Sequence, residues 1–247
     1  MPVLLLLVLF TSCASKSDFI YLNGATPASK TVSSEMKLQP NDVLMIAVTS
    51  LNAEVAIPYN LQMISIETNT ESARGEQKQL SYIISKEGVI DFPVIGAITI
   101  GGLTRIEAQN KIKNLLKEHI ADASVIIRLL NFKVTVLGEV NRPGTIQVAN
   151  ERMTILEAIG NAGDLSVFGK RKNILLIREH EGQTQTHRLD LTSADLLTSP
   201  YYYLVQNDVI YVEPNKTKIN SSAVGPNLTV GISAISLLIT ILALTTR

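Results

Sequence analysis

The chain has 247 residues, enough for one or two domains with their own cores. Lys plus Arg and Asp plus Glu stand at 22 each, so the net charge is zero and the clustered basic excess of a nucleic-acid binder is absent. A single cysteine excludes a disulfide framework within the chain.

Residues 2–10, PVLLLLVLF, are almost purely apolar, and Thr11, Ser12 and Cys13 follow. The run is too short for a spanning helix, which needs about 20 residues, and it reads as a secretory signal over 1–12. Cys13 directly after a small residue resembles a bacterial lipobox. That resemblance implies cleavage before Cys13 and acyl chains on its sulfur and new amino group, an anchor into membrane lipid. Two features depart from the pattern: no Lys or Arg precedes the run, and Phe10 and Thr11 replace the usual Leu and Ala or Ser. A plain secretory signal with a coincidental cysteine is the alternative. Residues 13–34 then read as a lipidated tether, flexible and rich in Ser, Ala and Thr.

The first unit, 35–130, is mixed α and β. LQPNDVLMIAV at 38–48 is a turn entering an alternating strand. Strands follow at 80–84 and 89–93, around the turn Lys86-Glu87-Gly88, and at 97–100. Thr104 and Glu107 form a capping box that opens a helix, with Ile106, Ile112, Leu115 and Leu116 on its apolar face. A further strand is expected at 123–130.

The second unit, 131–214, begins with two strands around Val140 to Gly144, whose Asn141, Pro143 and Gly144 are turn formers. Thr154 and Glu157 form a second capping box, on a short helix ending near Gly163. Residues 173–178 and 185–189 pair as a hairpin around Glu181-Gly182, and a strand occupies 205–212. The turn Pro40-Asn41-Asp42 is echoed by Gln206-Asn207-Asp208, each entering an apolar strand.

After a linker at 215–225, no charge lies between Lys218 and Arg247. Residues 226–245 have the length of one membrane span, with Pro226 where a helix tolerates proline. Thr229, Ser233, Ser236 and Thr240 fall on one stripe of that helix. Such a stripe suits a partner helix or a wet lumen; alternatively the hydroxyls bond their own backbone carbonyls.

Catalytic chemistry is not legible. His119, His180 and His187 share no metal-ligand spacing, and no second cysteine is present. No phosphate loop occurs. Ser34-Glu35-Met36-Lys37 matches S-x-x-K without its partner motifs. Tyr201, Tyr202 and Tyr203 could stack on sugars, but packing at a subunit contact is the simpler reading.

These pieces resemble the polysaccharide export proteins of the Wza type. The motifs that carry the likeness are LQPNDVLMIAV at 38–48, GVIDFPVIGAITIGGLT at 88–104, VTVLGEVNRPGTIQV at 134–148, MTILEAIGNAGDL at 153–165 and VQNDVIYV at 205–212. The resemblance implies an α+β protein: a polysaccharide export domain, one β-grasp-like SLBB domain and a C-terminal transmembrane helix. The family usually has Pro-Gly-Asp where this chain has Pro40-Asn41-Asp42 and Gln206-Asn207-Asp208; Asn is the next residue most tolerant of a left-handed turn. Also implied is a lipid-anchored outer-membrane ring of identical subunits, an octamer among its forms, that conducts a capsular or extracellular polysaccharide. Thr229, Ser233, Ser236 and Thr240 would line its pore. An inner-membrane copolymerase would be its partner, and no metal, cofactor or catalytic residue is called for. The rivals are a membrane-anchored glycan-binding or adaptor module that forms no pore, and an inner-membrane chain-length regulator.

Overall fold

The computed structural model describes residues 18–25, 36–61, 81–150, 152–180, 182–223 and 226–245. Two clusters of buried apolar side chains divide the fold, one running from Leu38 to Ile127 and the other from Phe132 to Val212.

In the first unit, strand β1 (Val43–Thr49) turns Leu44, Ile46 and Val48 into the core at every second position. A single helical turn, α1 (Ala53–Ala56), is capped by the Asn52 side chain. Strands β2 (Tyr82–Ile83), β3 (Val89–Phe92) and β4 (Gly96–Thr99) follow, then helix α2 (Arg105–Leu116) and β5 (Ser124–Leu129). The sheet order is β2-β1-β5, all antiparallel, and β3 pairs with β4 as a separate hairpin. At its base Gly88 and Gly101 touch: a Cβ on Gly101 would lie 2.6 Å from the Gly88 Cα.

Helix α2 begins at Thr104 with a full capping box. It buries Ala108, Ile112 and Leu116, an i, i+4 stripe against the sheet. Ile106 and Leu115, expected on that face, are 49% and 42% exposed. Ile106 lies about 120° around the helix from Ile112, which takes it off the stripe.

The second unit contains β6 (Lys133–Gly138), β7 (Gly144–Gln147), β8 (Met153–Thr154), α3 (Ile155–Asn161), β9 (Gly169–His180), β10 (Gln183–Leu189), β11 (Tyr203–Leu204) and β12 (Val209–Pro214). Its sheet order is β10-β9-β12-β6-β7, with β12 parallel to β6 and the other pairs antiparallel. The first and last long strands therefore lie side by side at the centre. Helix α3 buries Ile155, Ala158 and Ile159 in the same core. This is a β-grasp arrangement, and the chain as a whole is α+β.

Where β6 ends, Gly138 takes φ 90°, and a Cβ there would stand 2.1 Å from the Val212 carbonyl oxygen. No side chain fits between the two central strands at that point. Gly144 differs: an added Cβ would meet nothing within 4 Å, so its constraint is the φ of 158° alone, a backbone conformation that L side chains rarely adopt.

Residues 18–25 are held against the second unit, although the sequence reads there as flexible tether. Leu22 N–H donates to the Leu191 carbonyl at 3.0 Å, and Asn23 N–H to that of Thr192 at 2.7 Å. Arg171 lies 5.1 Å from the Phe19 ring and 5.6 Å from the Tyr21 ring. Lys172 pairs with Asp18 at 2.6 Å. Arg171 and Lys172 of β9 thus meet the aromatic pair and the acid of this segment, and the Tyr21 hydroxyl also donates to the Asp164 carboxylate.

At the C-terminal end, α4 (Lys216–Ala223) is followed by α5 (Pro226–Thr245). The expected transmembrane span at 226–245 requires correction: among the described residues, no helix is long and apolar enough to cross a membrane. Gly231, Ser233, Ser236, Thr240 and Thr245 interrupt the apolar residues every few positions along α5. Its described side chains, including Ile235, Leu237 and Leu238, are exposed.

Candidate functional site

The two units meet at residues 129–133, and the echoed turns clamp this junction from both sides. Asn41 takes φ 69° and Asn207 takes φ 66°, the left-handed conformation that Asn tolerates at modest cost. In the first turn, Asp42 N–H donates to the Gln39 carbonyl at 3.1 Å, and the Asp42 carboxylate accepts from Gln39 N–H at 2.9 Å. The second turn repeats this: Asp208 N–H donates to the Val205 carbonyl at 3.2 Å, and its carboxylate accepts from Val205 N–H at 2.8 Å.

Asn131 sits between them. Its side chain accepts from Val43 N–H at 2.9 Å and donates to the Asn41 carbonyl at 3.1 Å. The Asn131 carbonyl accepts from the Gln206 side chain at 2.8 Å, and Gln206 in turn accepts from Lys133 N–H at 2.8 Å. One residue therefore bonds both turns, and the linker cannot swing freely without breaking four hydrogen bonds.

Beside the junction, a cleft of about 650 Å³ opens between the units. Leu38, Arg105, Ile106, Arg128 and Leu129 line it from the first unit, and Asn150, Arg152, Tyr203 and Leu204 from the second. Its size falls within the roughly 300–1,000 Å³ of small-ligand sites. The Arg152 guanidinium lies 5.4 Å from the centre of the Tyr203 ring, a cation–π distance. Arg105 donates to the Gln109 side chain at 3.1 Å. The sequence offers no local signal for this site. Its arginines come from the start of α2, from β5 and from the loop before β8, and only the fold gathers them.

Other residues singled out in the sequence lie elsewhere. The Tyr201 ring stacks on His187 at 3.8 Å, under Arg178 at 5.5 Å, and Tyr202 meets Tyr203 edge-on at 5.2 Å. Two of the three tyrosine rings are thus largely occupied by packing. His119 lies 5.8 Å from the Tyr59 ring, far from His187 in the fold's other unit. The side chain of His180 is outside the described residues, as are Cys13, Ser34 and the Thr229 side chain. Among the described residues, no cluster of His, Cys, Asp and Glu has the makings of a metal site. Asn141 and Arg142 pack at the end of α3: Asn141 N–H donates to the Asp164 carbonyl at 3.0 Å and Arg142 N–H to that of Ala162 at 2.8 Å. On α5, Ser236 donates to the Ser233 carbonyl and Thr240 to the Ser236 carbonyl, each at 2.8 Å. Ser236 and Thr240 thus bond the carbonyls of their own helix backbone.

Burial shapes the electrostatics of the clamp. Asp42 is 2% exposed, and the loss of water pushes its carboxyl from an ordinary 3.8 up to about 6, against the pull of the Gln39 N–H.

Residues 30–130 match the family model described as polysaccharide biosynthesis/export protein, and residues 132–212 match that of the SLBB domain. The first unit is thus similar to the polysaccharide export family, and the second to the SLBB domain. Two curated relatives are the EPS I polysaccharide export outer membrane proteins EpsA of Ralstonia nicotianae, 29% identical over 111 residues, and of Ralstonia solanacearum, 28% identical over the same length. Each match covers 44% of this chain and 29% of the relative, so the chain spans under a third of the proteins it matches. The polysaccharide export family comprises transport components, not enzymes. Its two matched segments coincide with the two packed cores, and the boundary at 131 is Asn131 itself.

Proposed function

We propose that this chain is a non-catalytic subunit of an envelope complex that exports a capsular or extracellular polysaccharide. The observation that carries the proposal is the tandem of an export domain and an SLBB domain, clamped to each other through Asn131. Both units have filled cores. A hydrated polymer passing through either would have to displace close-packed side chains. A conduit therefore runs between copies, and a closed ring of identical subunits supplies one at the symmetry axis. Its location is the outer membrane, as for the EpsA proteins, with Cys13 as the site of lipidation. An inner-membrane copolymerase would deliver the polymer, and polymer synthesis would drive it.

The second reading, a glycan-binding adaptor that forms no pore, is favoured by one observation: the cleft between the units has the size of a ligand site.

Deletion and complementation test the proposal. Cells lacking the chain should keep polymer synthesis and lose surface polysaccharide, and the wild-type chain should restore it. Polymer at the surface without the chain would overturn the export reading. The native mass of the detergent-extracted particle separates the two forms: a ring gives a multiple of the chain mass, and a monomer leaves only the adaptor.

A further inference from the structure

The interdomain cleft has a charge pattern that the chain as a whole does not. Acidic and basic residues balance at 22 each, yet the described lining contains Arg105, Arg128 and Arg152 and neither Asp nor Glu. The nearest acids in sequence on the two capped helices are already committed. Glu107 accepts from Thr104 N–H at 2.8 Å, and Glu157 from Thr154 N–H at 2.7 Å. Arg128 and Arg152 hold no ion pair among the described residues. The like charges of Arg128 and Arg152 at one hollow repel each other unless an anion enters.

The remaining surface fits a sugar. Tyr203 offers part of an aromatic ring, and Leu38, Ile106, Leu129 and Leu204 offer an apolar floor for the C–H faces of a pyranose. Asn150 adds a side-chain amide able both to donate and to accept. A neutral glycan has no use for the guanidinium groups of Arg128 and Arg152. A carboxylate does, because the guanidinium fork matches its two oxygens.

We infer that the cleft between the two units is a binding site for a carboxylated saccharide, a uronate-type segment of the exported polymer held by Arg128 and Arg152 against Tyr203. The inference rests on the export reading for the source of its ligand. An inorganic anion shares the charge but not the ring, and it is the arm that separates saccharide recognition from simple anion capture.

The test is calorimetric titration of the full chain in detergent with trigalacturonate, maltotriose and inorganic phosphate. Trigalacturonate should bind and weaken with added salt, maltotriose should bind at least about tenfold less tightly, and equimolar phosphate should not displace the uronate. The double variant Arg128→Glu/Arg152→Glu should lose at least about tenfold in uronate affinity with an unchanged melting temperature, since both side chains are exposed. Equal binding of maltotriose, displacement by phosphate or full affinity in the double variant would each overturn the site. Export in cells is scored separately. Normal export by a double variant that has lost binding removes the cleft from the polymer's path and leaves the export reading standing. Failure of the wild-type chain to restore export removes that reading, while the titration still decides the cleft.

Discussion

Arg178 grips Asp208 with both arms of its guanidinium, Nε to Oδ1 at 2.9 Å and Nη2 to Oδ2 at 2.7 Å, while Asp42 at the matching turn meets no cation among the described residues. Nη2 of Arg178 also donates to the Tyr203 carbonyl at 3.1 Å, which ties β9 to the wall of the cleft. The two turns share one backbone design and differ in charge compensation. That difference sets opposite expectations for the same substitution.

Asp208→Asn leaves a guanidinium that is only 13% exposed facing a neutral amide. Removing one partner of a buried pair costs about 3–5 kcal/mol, because the other charge is stranded. Urea denaturation should show a loss of that order, and the Arg178→Met/Asp208→Asn double variant should recover part of it. A loss below about 1 kcal/mol would show that solvent reaches the pair.

Asp42→Asn should behave differently, and its effect should depend on pH. The folded chain holds the Asp42 proton up to about 6, against an ordinary 3.8. Its stabilising contribution is therefore complete below about pH 4 and is lost as pH rises through about 6. Asn mimics the protonated form and still accepts from Gln39 N–H. Melting temperatures of variant and wild type should agree near pH 4, and the variant should gain as pH rises to about 6.5, then run parallel. Glu213 has the opposite sign: the Arg188 and Lys170 partners lower it to about 2, so its contribution is lost only as pH falls below 4.5. A constant offset across the range would mean that Asp42 is not the titrating group.

Gly138→Ala tests the closest backbone approach in the fold. The new methyl would stand 2.1 Å from the Val212 carbonyl at φ 90°, where β6 and β12 pair. Central strands would have to part, so the loss should exceed about 2 kcal/mol. Gly144→Ala meets no atom and carries only the strain of φ 158°, so it should cost about 1 kcal/mol, less than Gly138→Ala. Equal melting of the two variants would refute the steric argument.

Much of this fold was legible because its signals are local. Both capping boxes, at Thr104 and Thr154, are four-residue patterns, and the hairpin at Glu181-Gly182 is a contiguous run. The Asn41 and Asn207 turns were visible as an echo of a few residues. Long-range geometry was not legible. The turn glycine Gly144 was legible in the Pro143-Gly144 dipeptide and takes a positive φ, whereas the tighter Gly138 was not, because its constraint comes from Val212 across the sheet. Ile106 looked like a core residue of α2 and instead lines the cleft. Residues 18–25 looked like tether, since nothing within them names Arg171 and Lys172 as partners. The apolar tail read as a span, and the structure places there an exposed helix with hydroxyls bonded to its own backbone.

Asn131 is the position at which the two units are most economically uncoupled. Asn131→Ala removes the acceptor for Val43 N–H and the donor to the Asn41 carbonyl, but keeps the backbone carbonyl that Gln206 uses. The first turn should loosen and the second stay intact. Two neutral hydrogen bonds are worth about 1–3 kcal/mol together, and the stranded Val43 N–H sets the larger part. The loss should appear in the unit formed by residues 36–130, with faster amide exchange at Val43 and little change in β12. Asn131→Asp sharpens the test. Its carboxylate still accepts from Val43 N–H, but it meets the Asn41 carbonyl with an oxygen in place of a donor. It should be intermediate at low pH, where a protonated acid can donate to that carbonyl, and should match or fall below Asn131→Ala at neutral pH. Exchange that speeds up equally in both units would show that Asn131 serves the whole fold, and no separate clamp on the first turn could then be maintained.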